Sequence, residues 1–208
     1  MRLRLSVERD NQGLTTNMRK SPRISDGAVA SESTPARLIA AASEEFRRRG
    51  FSGTDTNRIA RRAGFAPQTF YRWFRDKTQI FLAVYRAWEE EERAVLAKLI
   101  AEDAPSSEIV AAIVKHHRAY RIFRRSLRQL TVQDPAVRKA RAQSRTRQIE
   151  RIRSSMGVPA PEFSEIAVVL FQIERLCDAI ADDEFKDLGM DEHVARTAIG
   201  ELQARFRR

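Results

Sequence analysis

Beyond residue 33, apolar residues recur at helical spacing almost without interruption. In "STPARLIAAASEEFRRRG", Ile39, Ala42 and Phe46 share one face, Thr34 stands as an N-cap, Pro35 follows at the first helical position, and Gly50 closes the segment. Asp55 is placed to cap a short helix from Thr56 to Ala63, with Gly64 just past its end. "FAPQTFYRWF" predicts a second short helix opening at Pro67. Asp76 then caps a long helix over 77–102, whose stripe is Ile80, Phe81, Val84, Trp88, Val95 and Leu99.

The pattern continues with a helix over 106–131, where Ile109, Ile113, His116, Tyr120, Phe123, Leu127 and Leu130 alternate in steps of four and three. Asp134-Pro135 opens a further helix to Met156, and "GVPAPEF" reads as a Pro-rich loop. A helix over 162–183 carries Ile166, Leu170, Ile173, Cys177 and Ile180, and Asp191 starts the last one, with Val194, Ala198, Leu202 and Phe206. No segment after residue 33 reads as a strand, and no internal repeat is evident. The fold class expected is all-α. Residues 1–33 are rich in Ser, Asn, Gly and Pro with weak periodicity, "RLRLSVE" alternating like a strand without a later partner, and are expected to form a disordered basic tail; Met18 is a second candidate start.

Two very short helices bury little surface alone. Their order, a medium helix, two short ones over a Gly-bearing turn and then a long one, fits a three-helix helix-turn-helix domain over 34–80, whose second short helix presents its N-terminal end to a DNA major groove. A larger helical domain would follow over 81–208.

Charge agrees with that reading. The chain has 208 residues and a formal net charge of +10, with a pI near 10.5. Such an excess speaks of partners, not of fold. Double-stranded DNA is the first candidate and an anionic membrane surface the second. Gln68 and Arg72 carry the side chains that pair with adenine and guanine edges, whereas Tyr71 and Lys77 suit phosphate. Thr69 stands beside them, and Thr56 and Asn57 open the preceding helix. Phe70 and Phe74, four apart, share a face turned to the core.

Other chemistries find little support. Nothing combines a nucleophile with a base, no Gly-rich phosphate loop is present, and His occurs three times, so an enzyme is not expected. Glu89–Glu92 reads as a solvated face rather than a metal site, and neither metal nor cofactor is expected. The basic stretch "RKARAQSRTRQIERIR" reads as a solvated helix, and His117 as exposed. Glu174 and Asp178 share a face that solvation explains as well as a ligand or a dimer contact. Cys177, the one cysteine, suits a buried apolar site better than a redox sensor. No apolar run suggests a signal peptide or a membrane span, so a cytoplasmic protein is the expectation.

The stretch "FSGTDTNRIARRAGFAPQTFYRWFRDKTQIFLAVY" resembles the DNA-binding domain of TetR-family transcriptional regulators. Thr54 and Thr56, Ile59-Ala60, Ala63-Gly64, Thr69-Phe70-Tyr71, Phe74 and Lys77 carry the resemblance. Ala66 stands where a capping Ser is common, leaving Pro67 to start its helix. The resemblance implies a homodimer built on the last two long helices, an effector pocket among the middle helices, and a repressor that leaves a palindromic operator when a small molecule binds. Trp88, His116, Tyr120, Phe123 and Leu127 are the pocket candidates, which suits a partly aromatic, mostly apolar ligand. Apolar stripes on the last two helices point to the same dimer, through Ile166, Leu170, Ile173, Cys177, Ile180, Ala198 and Leu202. A sequence-tolerant nucleoid-type DNA binder is the alternative; it accounts for the charge but not for the long apolar-striped region after the reader.

Overall fold

The computed structural model describes residues 33–156 and 161–206. The expected tail and the start of the Pro-rich loop lie outside the described residues. Among these residues the chain is all-α, in the order α1 (Thr34–Arg49), α2 (Thr56–Arg62), α3 (Pro67–Trp73), α4 (Lys77–Ala101), α5 (Ser106–Ala119), α6 (Arg121–Gln133), α7 (Pro135–Ser155), α8 (Phe163–Ala181), α9 (Glu184–Asp187) and α10 (His193–Ala204).

Local chemistry sets most boundaries. The carboxylate of Asp55 accepts the Arg58 amide at 2.8 Å, and that of Asp76 accepts the Gln79 amide at 2.7 Å, each satisfying an orphan donor of the first turn. Asp134 does the same for Ala136 at 2.8 Å, with Pro135 in the first turn of α7. For α1 the cap position falls on Ser33 instead of Thr34, and no side chain closes it.

The helix expected over 106–131 is two helices. The chain leaves the α-region at Tyr120 (φ −111°, ψ 17°), whose amide is shared between the carbonyls of His116 and His117 at 3.2 Å each. Neither Gly nor Pro marks the break, and the four–three spacing runs through it. Packing decides it: α5 lies against α4, α8 and α10, whereas α6 turns toward α1 and α7.

One core joins α1–α4 to α6. Phe81 stands at its centre, edge-on to Phe46 at 5.1 Å and to Phe51 at 5.3 Å, and 4.9 Å from Phe123 of α6. A second core gathers Ile109, Ile113 and Val114 of α5, Cys177 and Ile180 of α8, and Ile199 of α10. A smaller one packs Ile149 of α7 against Ile166 and Leu170 of α8.

Candidate nucleic-acid interface

The helix-turn-helix is fixed from beneath by apolar contacts and from the sides by charge. Gly64 takes φ +78° in the turn, a region costly for any other residue. Arg37 braces the turn: its guanidinium donates to the Ala63 carbonyl at 2.8 Å and lies over the Phe65 ring at 4.5 Å. In α3, Phe70 and Phe74 are buried, their rings 5.8 Å apart, which rotates the opposite face outward. Gln68, Tyr71, Arg72 and Trp73 are exposed, Tyr71 to 57% and Trp73 to 51%. Two large rings and a guanidinium thus stand exposed on a seven-residue helix. The Tyr71 hydroxyl is held 2.9 Å from Oγ1 of Thr56, which ties α3 to the first turn of α2, while Asn57 is exposed beside it. Pro67 and Thr69 are half-buried at the start of α3.

Lys77 is held by backbone carbonyls of the α1–α2 turn. Its ammonium donates to the Phe51 carbonyl at 2.9 Å and the Thr54 carbonyl at 3.0 Å, and sits 4.2 Å over the Phe51 ring. Burial lowers its pKa from the ordinary lysine value. Two of its three donors are thus committed to the α1–α2 turn, which makes it a fastener of that turn more than a free phosphate ligand.

Glu45 had no signal in the sequence beyond its place on α1. It is buried and accepts from Arg62 at 2.5 Å and from the Thr54 hydroxyl at 3.2 Å, with Arg49 at 3.4 Å. Burial pushes its pKa up, but Arg62, Thr54 and Arg49 outweigh that and hold the carboxyl below its ordinary value. Arg49 and Arg62 are therefore partly spent on an internal carboxylate. The same turn contacts α6: the Phe51 amide donates to the Ser126 hydroxyl at 2.9 Å. Gly50 permits that approach, since a Cβ there would stand 2.9 Å from Ser126 Oγ.

The five pocket candidates pack against one another instead of walling a space. Phe123 and Leu127 are buried in the first core with Trp88. His116 stacks on Trp88 at 5.3 Å, and the Tyr120 hydroxyl donates to Glu91 at 2.7 Å. A cleft of about 450 Å³ opens between α4 and α7 and is lined by none of the five.

His117 is buried, not exposed. Its Nδ1 is 3.2 Å from Asp178 and its Nε2 3.4 Å from Glu92. Arg124, also buried, reaches Asp178 at 2.6 Å and Glu174 at 2.8 Å, and lies 4.7 Å over the Trp88 ring. Arg141 and Arg145 of α7 close on Glu174 as well. Glu174 and Asp178 therefore face inward and bind α5, α6, α7 and α8 together, which corrects the solvated-face reading. Burial opposes ionisation of Asp178, yet the hydrogen bonds from His117 and Arg124 keep its carboxyl well below the usual range.

The dimer candidates also need correction. Ile166, Leu170, Cys177 and Ile180 are buried inside the chain's own cores, and Ile173 packs against the second core, so the stripe that seemed free is already used. Ala198 and Leu202 are half-buried. The large apolar side chains left exposed on these helices are Phe163, Val168 and Phe171 of α8, the last two to 54% and 57%, and Val194 of α10.

Fold and reader together define a helix-turn-helix protein with a larger helical region behind it. Residues 38–84 match the family model described as "Bacterial regulatory proteins, tetR family". The chain is similar, at 32% identity over 75 residues, to the uncharacterized HTH-type transcriptional regulator YdgC of Bacillus subtilis (strain 168). That likeness covers 36% of this chain and 38% of the relative, so the chain matches well under two thirds of the relative's length. Solved structures share the fold over far more of the chain. A regulator from Rhodococcus sp. assigned to the TetR family superposes with a TM-score of 0.63 at 15% identity, covering 83% of this chain and 97% of that one. The fatty acid degradation regulator FadR from Bacillus halodurans gives 0.54 at 16% identity over 83% and 95%. Among the described residues, no helix is long and apolar enough to cross a membrane, and no group of His, Cys, Asp or Glu is placed to hold a metal ion.

Proposed function

We propose that this chain is a transcriptional regulator, acting as a cytoplasmic homodimer that represses at a palindromic operator and leaves it when a small-molecule effector binds. The observation that carries the reading is the exposed face of α3: Gln68, Tyr71 and Arg72 are exposed while Phe70 and Phe74 lock the helix down. Such a short helix, rigidly seated and tipped with base-reading side chains, suits the major groove. Gln68 and Arg72 are assigned to bases, and Tyr71, braced by Thr56, to phosphate. Asn57, Thr69 and Pro67 shape the approach.

A second copy would double the reader and make the half-sites symmetric. Val168, Phe171 and Val194, with Phe163 at the start of α8, offer exposed apolar surface for that contact. Effector control is supported by the run of contacts from α6 to the reader's turn, Ser126 to Phe51, and by the descent of α4 directly into the helix-turn-helix. The test is selection of binding sites from random duplexes. The expected outcome is enrichment of one two-fold symmetric sequence; binding without enrichment would establish the sequence-tolerant alternative.

A further inference from the structure

The cleft between α4 and α7 is not explained by the reader or by the packing of the cores. Tyr85, Arg86, Glu89 and Glu90 line it from α4, and Ala140, Gln143, Ser144, Arg147 and Arg151 from α7. Its volume, about 450 Å³, falls in the range that holds small ligands. Its walls are mostly polar, which does not suit an apolar ligand.

The charges do not cancel. Glu90 is already paired with Arg93; Glu89 accepts from the neutral Ser144 hydroxyl and keeps its charge, so one unpaired carboxylate stands against three guanidiniums. Among the described residues, Arg86, Arg147 and Arg151 have no carboxylate within salt-bridge distance, although Arg151 adds its field to Glu90. All three guanidiniums are exposed side chains at the rim, one on α4 and two on α7. By contrast, Arg141 and Arg145 of the same helix turn inward onto Glu174. The basic face of α7 thus divides into cations consumed by the fold and cations gathered at a concavity.

We propose that the α4–α7 cleft is the effector site and that its ligand is a small polyanion, carrying phosphate or several carboxylates, held by Arg86, Arg147 and Arg151. Guanidinium pairs oxyanions with two parallel hydrogen bonds, and three of them around one cleft favour a multiply charged ligand. The exposed Gln143 amide at the rim adds a neutral donor, whereas the buried Tyr85 hydroxyl is engaged with Glu89 and Ser144. The proposal rests on the reading of the chain as an effector-controlled DNA binder.

The position gives the ligand a route to the reader. Helices α4 and α7 run side by side in the same sense, joined near their starts by the Thr78 hydroxyl, 3.3 Å from Asp134, and further along by Ser144 and Glu89. A ligand that bridges Arg86 to Arg147 and Arg151 draws the two helices together about the Thr78–Asp134 contact. Lys77, at the head of α4, fastens the α1–α2 turn. A change in the angle of α4 therefore moves the reader, and a ligand that prefers one angle shifts the population.

The experiment titrates pyrophosphate and citrate into the full chain by calorimetry, with ionic strength held constant by sodium chloride. The two probes separate phosphate from carboxylate ligands. The variants are Arg86→Ala and the pair Arg147→Ala/Arg151→Ala, all at exposed positions, with Arg138→Ala/Lys139→Ala as a control on the same helix outside the cleft. The expected result is saturable binding of one probe per chain, weakened about tenfold or more in the cleft variants and unchanged in the control. The same probe should change affinity for a selected duplex about fivefold or more in the wild type, and not in the cleft variants. Three outcomes overturn the proposal: no saturable heat from either probe, equal loss in the control pair, or binding that leaves DNA affinity unchanged. If no duplex is selected, the regulator reading fails by itself, and the calorimetry still decides whether the cleft takes an anion.

Discussion

Arg124 of α6 reaches across to Asp178 of α8 at 2.6 Å, and both are buried. The pair is the centre of a network that also engages His117, Glu174 and the face of Trp88. Asp178 also holds Arg128 at 2.6 Å and His117 at 3.2 Å, so losing Arg124 leaves a buried carboxylate under-paired, which is costlier than replacing both partners. Arg124→Ala is expected to destabilise the chain by about 3–5 kcal/mol, and Arg124→Met with Asp178→Leu to recover a large part of that. Urea denaturation of the three proteins measures it; equal losses in the single and double variants would contradict it.

The same carboxylate predicts an acid limb. The folded pKa of Asp178 is held below its ordinary value of 3.8, so its contribution is present above the unfolded pKa and is lost as pH falls through the folded one. Glu45 and Glu174 are shifted in the same direction, against ordinary values of 4.5. Stability should therefore decline as pH drops below about 4.5, with little contribution from these groups to any change between pH 6 and 8. Asp178→Asn should lower stability at neutral pH and flatten the acid limb. An acid limb as steep as that of the wild type would assign it to other groups.

These two residues also show where sequence reading stops. The caps Asp55, Asp76 and Asp134, the turn at Gly64 and the buried pair Phe70 and Phe74 are local features, settled by spacing along one or two turns, and the helices α1–α4 are legible from them. Whether Glu174 and Asp178 face water or Arg124 depends on how α8 is rotated against α6, and no local pattern encodes that rotation. The same ignorance placed Ile166, Leu170 and Cys177 at a dimer contact. An apolar stripe shows that a face is covered without showing by what. Tyr120 is the reverse case: one continuous stripe serves two helices because each half finds a different partner.

The second copy should sit on the side chains left exposed. Phe171→Glu and Val168→Glu are expected to give a folded monomer with wild-type helicity and weakened DNA binding. Ile180→Asp, in the second core, should instead unfold the chain, because an unpaired buried carboxylate costs several kcal/mol. Light scattering and circular dichroism distinguish the outcomes, and a dimer persisting in Phe171→Glu would move the interface elsewhere. Cys177 gives an independent check. Burial pushes its thiol pKa up, so a thiol reagent should label it only on unfolding; rapid labelling of the folded protein would show that the second core opens.

The last prediction separates reading from fastening at the DNA surface. Gln68 and Arg72 are exposed on α3, and losing a base contact should cost about 1–3 kcal/mol and relax preference at one position of each half-site. Tyr71→Phe removes a hydroxyl without a charge and also frees Thr56, so affinity should fall at all sequences with little change in salt dependence. Lys77 is the decisive residue. A cation contacting phosphate contributes about 0.9 to the slope of log affinity against log salt. Its ammonium is held instead by the carbonyls of Phe51 and Thr54, so Lys77→Met should weaken binding and lower thermal stability together while leaving the slope near that of the wild type. Arg72→Ala should do the opposite, sparing stability and erasing one base preference. Binding-site selection at two salt concentrations, run beside thermal unfolding, reads all four variants. A slope that drops by a full phosphate contact in Lys77→Met, with stability intact, would return Lys77 to the DNA. Retention of the full preference in both Gln68→Ala and Arg72→Ala would remove α3 from the role of reader.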